Sequence, residues 1–161
     1  MRKIFLLCAG SLLLAPILSA QARPGQDYAV FFYVTSFQPG WAKLPETAGE
    51  AQQLKAELET NFGFTGELVP NPTKQQILDK IRAYNDRLTP NDQVLFFFSM
   101  HGYYDPGSDL GYIVAADGLV NDPYYGSWID YNNLRPCFAR CKAKRRAGGP
   151  ERLLLRLLRQ P

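Results

Sequence analysis

His101 is the chain's only histidine and directly follows the apolar run Val-Leu-Phe-Phe-Phe-Ser-Met at residues 94–100. An imidazole titrates near neutral pH, so a histidine at a strand end is a candidate general base or acid. The plainer reading is a partly exposed ring satisfied by a loop carbonyl, and position leaves both open. Gly102 allows close approach to the backbone, and its N–H is a candidate oxyanion donor; a glycine that simply opens a turn is the commoner case. Cys137 and Cys141 lie four apart on an expected helix. That spacing puts their Cα atoms about one turn apart, near the limit for a disulfide, so they read as free or weakly bridged thiols. Neither has a His, Asp or second Cys pair at metal-site spacing, so no zinc site or other cofactor is expected.

The elements that must position His101 follow from patterning. Residues 29–34, Ala-Val-Phe-Phe-Tyr-Val, form a short continuous apolar run rich in β-branched and aromatic residues, the mark of a strand buried on both faces. Residues 47–61 place Ala51, Leu54 and Leu58 at helical spacing, with Gly63 as the stop. A brief extended piece at 67–69 precedes a second helix. There Thr73 is the N-cap, Gln76 completes a capping box, and Ile77, Ile81, Tyr84 and Leu88 form the inward stripe. Thr89-Pro90-Asn91-Asp92 is a turn, and residues 93–100 are the strongest buried-strand signal in the chain. Residues 102–111 and 117–128 read as loops, 112–114 as a short strand, and 131–143 as a last helix capped by Asp130 and disturbed by Pro136. Alternating strands and helices predict an α/β fold with a mainly parallel sheet covered on both faces, where functional groups gather beyond the carboxyl ends of the strands.

At the amino terminus, Arg2 and Lys3 precede an apolar stretch at 4–18 and the small-residue site Ala20-Gln21-Ala22. This is the layout of a cleavable secretory signal over residues 1–22, so the mature chain is expected to be secreted or periplasmic, with no membrane attachment after cleavage. Charge divides the remainder unevenly. Residues 139–161 hold eight Lys or Arg and one acid, a net of +7, whereas residues 1–138 hold ten bases and fourteen acids, a net of −4. A basic tail ordinarily suggests an anionic partner, but so abrupt a change of composition is also what a shifted reading frame produces.

Residues 96–104, Phe-Phe-Phe-Ser-Met-His-Gly-Tyr-Tyr, resemble the strand and His-Gly turn of the caspase-like cysteine peptidases, bacterial metacaspase relatives included. Residues 28–34, 48–64, 71–91, 111–117 and 128–140 are similar, in order, to that family's successive elements. The likeness covers roughly 27–143. It implies a caspase-like three-layer α/β sandwich, protein or peptide substrates, no nucleic acid and no cofactor. It also implies that His101 handles protons for a cysteine on the neighbouring strand, while Gly102 and the nucleophile's own amide donate to the oxyanion.

The family's cysteine follows a fourth apolar strand about 50 residues after the histidine. This chain offers Lys-Arg-Arg-Ala-Gly-Gly-Pro at 144–150 instead, which does not read as a strand. Cys137 and Cys141 come too early and fall on the preceding helix. Permitted codons for residues 145–158, read one nucleotide later, encode Val-Val-Leu-Val-Val-Leu followed by Asn or Ser and then Ala-Cys-Tyr-Ser-Gly-Ser-Phe. That cysteine codon spans Leu153 and Leu154, some 52 positions after His101. The expectation is a caspase-like domain over 27–143, incomplete at its carboxyl terminus, followed by a basic tail over 144–161 read out of frame. The domain then lacks its nucleophile and leaves a sheet edge open. Read instead as a natural tail, residues 153–158 with Arg152, Arg156 and Arg159 suit a short amphipathic helix. A separate function class, a noncatalytic module, is suggested by the aromatic residues Tyr103, Tyr104, Tyr124, Tyr125 and Trp128, which could hold a protein or glycan.

Overall fold

The computed structural model describes residues 24–134 and the strand Leu154–Leu158. The elements in chain order are β1 (Asp27–Tyr33), α1 (Glu46–Phe62), β2 (Thr65–Pro70), α2 (Lys74–Arg87), β3 (Gln93–Asp105), β4 (Leu110–Ile113), β5 (Ile129–Asp130) and β6 (Leu154–Leu158). They build one mixed six-stranded sheet. β1 lies between β2 and β3, parallel to both, with Phe31 in register with Leu68 on one side and Phe97 on the other. On the far side of β3, β6 runs parallel from Phe97↔Leu154 to His101↔Leu158. Beyond that point β3 continues and turns back as an antiparallel hairpin with β4, which pairs in turn with β5.

Strand alternation explains the two cores. Val30, Phe32, Phe96, Phe98 and Met100 project to one face, where Ile77, Ile81, Tyr84 and Leu88 of α2 and its flank cover them. Phe32 stacks on Phe96 and Phe98. Ala29, Phe31, Tyr33 and Phe97 project to the other face, under Ala51, Leu54 and Leu58 of α1. Each fully buried aromatic of this kind contributes about 1.5–3 kcal/mol through removal from water. The helix ends behave as their residues require. Thr73 accepts from the Gln76 amide while the Gln76 side chain accepts from the Thr73 amide, a complete capping box. Gly63 closes α1 at φ 70°, in the left-handed region, its N–H donating to the Leu58 carbonyl.

Three sequence expectations are corrected, and one strand that the sequence left unassigned is added. Residues 102–105 are not loop, because β3 runs on to Asp105 and is held there by β4. The extended piece at 67–69 is a full strand paired with β1. Ile129–Asp130 is a short strand with no propensity signal of its own. Finally, residues 154–158 form neither a helix nor an unpaired end: they are β6, lying along the edge of β3 that was expected to stand open. Asp130 does cap the turn that follows, accepting from the Asn132 amide at 2.7 Å, and residues 131–134 are helical. The remainder of that expected helix, Cys137 and Cys141, and the signal segment lie outside the described residues.

Candidate active site

His101 sits where β3 passes from parallel pairing with β1 and β6 to antiparallel pairing with β4. Its ring is 3% exposed. It does not open into a crevice, because the loop between β1 and α1 folds across it. Phe37 lies 4.5 Å from the imidazole centroid on one side, and Trp41 stacks on it at 5.0 Å and 28°. From the same loop the Ala42 carbonyl accepts from Nε2, 2.8 Å away.

This hydrogen bond fixes the tautomer. A carbonyl oxygen only accepts, so Nε2 carries a proton, and in the neutral form of the ring Nδ1 is the nitrogen that bears the lone pair. Nδ1 is buried and has no hydrogen-bond partner among the described residues. A buried acceptor left unmade costs on the order of 1–3 kcal/mol, and such sites in native folds call for a functional or structural reason. A loop carbonyl satisfies one nitrogen, as the plainer reading expects, and the other is left without a partner among the described residues.

The loop that supplies Ala42 is tied down at both ends. Asn71, at the end of β2 with φ 46°, donates its amide N–H to the Tyr33 carbonyl, and its side-chain oxygen accepts from the Thr35 amide, the Thr35 hydroxyl and the Ser36 amide. The Leu44 amide donates to the Thr35 carbonyl and closes the loop. Its tip is pinned through an indole: Trp41 Nε1–H donates to the Gly118 carbonyl, beside Leu119, whose carbonyl accepts from Trp128 Nε1–H. Gly40, at φ 102°, passes Val120 so closely that a Cβ there would lie 2.7 Å from a Val120 methyl. The 115–128 loop is held in turn by Lys74 of α2, whose Nζ donates to the Gly126 and Trp128 carbonyls while its backbone N–H donates to Asp117.

Gly102 is in register with Ile113, and the Val114 amide donates to the His101 carbonyl. That pattern makes Gly102–Ile113 a non-hydrogen-bonded antiparallel pair, so the Gly102 N–H turns away from β4, toward the side of β3 that β6 occupies. The candidate base and the candidate oxyanion donor thus adjoin the same edge. In register with His101 on that edge stands Leu158, which is not a nucleophile. Of the aromatic residues singled out in sequence, Trp128 is buried in a cluster with Tyr112 and Val114, and Tyr125 stacks on it. Tyr103, Tyr104 and Tyr124 are exposed. Sequence reasoning missed Phe37, Trp41, Ala42, Asn71 and Lys74. Only Trp41, an indole directly after Pro39-Gly40 in a loop, carried a signal.

Among curated proteins none matches the chain. The sequence pattern of the caspase domain family matches residues 26–140, which takes in every described element except β6. With an alternating α/β sandwich around a parallel sheet and a histidine at its carboxyl edge, the chain belongs to the caspase domain family.

Proposed function

We propose that this chain is the histidine-bearing part of an exported caspase-like cysteine endopeptidase, inactive in the form written because no cysteine stands beside His101 among the described residues. The observation that carries this reading is the buried imidazole, with Nε2–H held by the Ala42 carbonyl and Nδ1 left bare. In the complete enzyme a thiol on the strand beside β3 gives its proton to His101, and the thiolate attacks a peptide carbonyl. The S–C bond forms, and Gly102 N–H with the nucleophile's amide receives the oxyanion. The C–N bond then breaks as the imidazolium passes its proton to the leaving amine, and water hydrolyses the thioester. The family acts on protein or peptide substrates, and the signal-like residues 1–22 support a secreted or periplasmic place of action.

The test restores the alternative frame. Sequencing of the locus should show that the second frame from Lys144 onward encodes an apolar run and a cysteine. Protein made in that frame should hydrolyse peptide amides, and His101→Ala should lower kcat at least 10³-fold. A second frame without the cysteine, or restored protein whose hydrolysis survives His101→Ala, overturns the proposal.

One observation favours a second reading, a noncatalytic module for protein or glycan. Tyr124, on the 115–128 loop, is 90% exposed, and Tyr104, in β3 three residues beyond the covered histidine, 58%. A peptide reagent that traps active thiolates tests the inactivity common to both readings: modification of Cys137 or Cys141 in the chain as written supports an active enzyme, and its absence leaves the fragment or the module.

A further inference from the structure

We propose that the outer edge of β3, with the stripe of α1 that overlooks it, is a binding site for an extended apolar segment carrying one Lys or Arg in register with Ser99. The backbone defines the first half of the site. β3 offers its edge to a parallel strand over Phe97 to His101, and the residues it accepts there are Leu-Leu-Arg-Leu-Leu, with position 156 opposite Ser99. Extended segments that add to a sheet edge gain affinity from the ladder and selectivity from alternate side chains.

The selectivity lies on the α1 face. By strand alternation Phe97, Ser99 and His101 share that face with register positions 154, 156 and 158. Ser99 is fully buried, and its hydroxyl donates to Glu50 Oε2 at 3.1 Å. Glu50, Gln53, Leu54 and Glu57 fall at i, i+3, i+4 and i+7, one stripe of α1, and with Phe97 they line a cavity of about 360 Å³. A carboxylate at each end and an apolar floor of Leu54 and Phe97 suit a segment with one cation flanked by hydrocarbon. Residues 154–158 have that composition in cis, within the 139–161 segment of net charge +7.

The strand seated there leaves the site exchangeable. It contains no β-branched or aromatic residue, whereas β1 and β3 are rich in aromatic residues and each carries a valine, which makes it a weak occupant of a central-strand position.

The probes are two labelled peptides with flanking Gly-Ser, one with the centre Val-Ile-Arg-Ile-Val and one with Val-Ile-Glu-Ile-Val. Each is titrated by fluorescence polarisation against the full chain and against Arg156→Glu, which disfavours the cis strand. The Arg-centred peptide should bind at least tenfold tighter than the Glu-centred one, and tighter to Arg156→Glu than to the unaltered chain. Glu50→Gln should abolish that preference. Glu57→Gln, at an exposed position, should reduce it severalfold and serves if Glu50→Gln fails to fold. Equal binding of the two peptides, no binding to Arg156→Glu, or a preference unmoved by both glutamate variants overturns the proposal. A doubled solution mass with no response to peptide also overturns it, because a second copy is then the occupant.

Discussion

At the scale of single residues, the environment of His101 was the least legible feature of the sequence. Its place at a strand end could be read from residues 94–101, but its burial depends on Phe37 and Trp41, some sixty positions earlier, in a loop whose path is set by Asn71, Gly118 and Val120. No local pattern encodes a meeting of that kind. Trp41→Ala should therefore cost about 3 kcal/mol through lost packing. It should also uncover the imidazole, so that acylation of His101 by diethyl pyrocarbonate, followed by mass spectrometry, becomes much faster than in the unaltered chain. A second residue-scale prediction concerns Glu67 and Tyr84. Partial burial pulls the Glu67 carboxyl upward, but hydrogen bonds from Lys80 and Tyr84 with the nearby positive charges outweigh it and hold it below 4.5. Burial and the Glu67 carboxylate push Tyr84 up to about 12. A depressed carboxylate stabilises above its unfolded value and loses that contribution as pH falls through the folded one. Glu67→Gln should thus destabilise at neutral pH by no more than about 1 kcal/mol, since the pair is half-exposed, and the difference should shrink below pH 4.5. The Tyr84 contribution is complete below pH 10 and is lost as pH rises through about 12. Chemical denaturation across the pH range reads both limbs.

At the scale of elements, caps and stripes were legible because they are local. Thr73 and Gln76 close a capping box, and Ile77, Ile81, Tyr84 and Leu88 face the core as their spacing requires. Thr73→Ala should cost about 1 kcal/mol in guanidinium unfolding with an unchanged m-value. Strands that depend on a distant partner were read less well. β3 was expected to end at Met100, since Gly102, Pro106 and Gly107 carry turn character, yet pairing with β4 extends it by five residues. β5 is two residues long and exists only because β4 lies beside it. β6 shows the same override more strongly, since Leu and Arg favour helices when isolated and the vacant edge of β3 decides otherwise.

At the scale of the whole molecule, the family pattern ends at residue 140 and β6 begins at 154. If the second frame is the ancestral one, its cysteine codon falls at Leu153 and Leu154, whereas the strand now seated beside β3 sets Leu158 against His101. Tail residues then fill the slot in a register displaced by about four positions, or roughly 13 Å along a strand. Arg156→Pro, which removes a ladder donor, should bare the β3 edge. The expected result is faster amide hydrogen exchange over 96–101, lower thermal stability and concentration-dependent aggregation, followed by mass spectrometry and light scattering. Unchanged exchange there would mean that β6 contributes nothing to the sheet. The loop that covers the imidazole has an optical consequence as well. Trp41 and Trp128 are the chain's two tryptophans, and their rings lie 5.7 Å apart, with Trp41 stacked on His101. The intrinsic fluorescence of the entire protein therefore originates from one small volume around one imidazole, and emission wavelength and quencher access report on that volume without any added label.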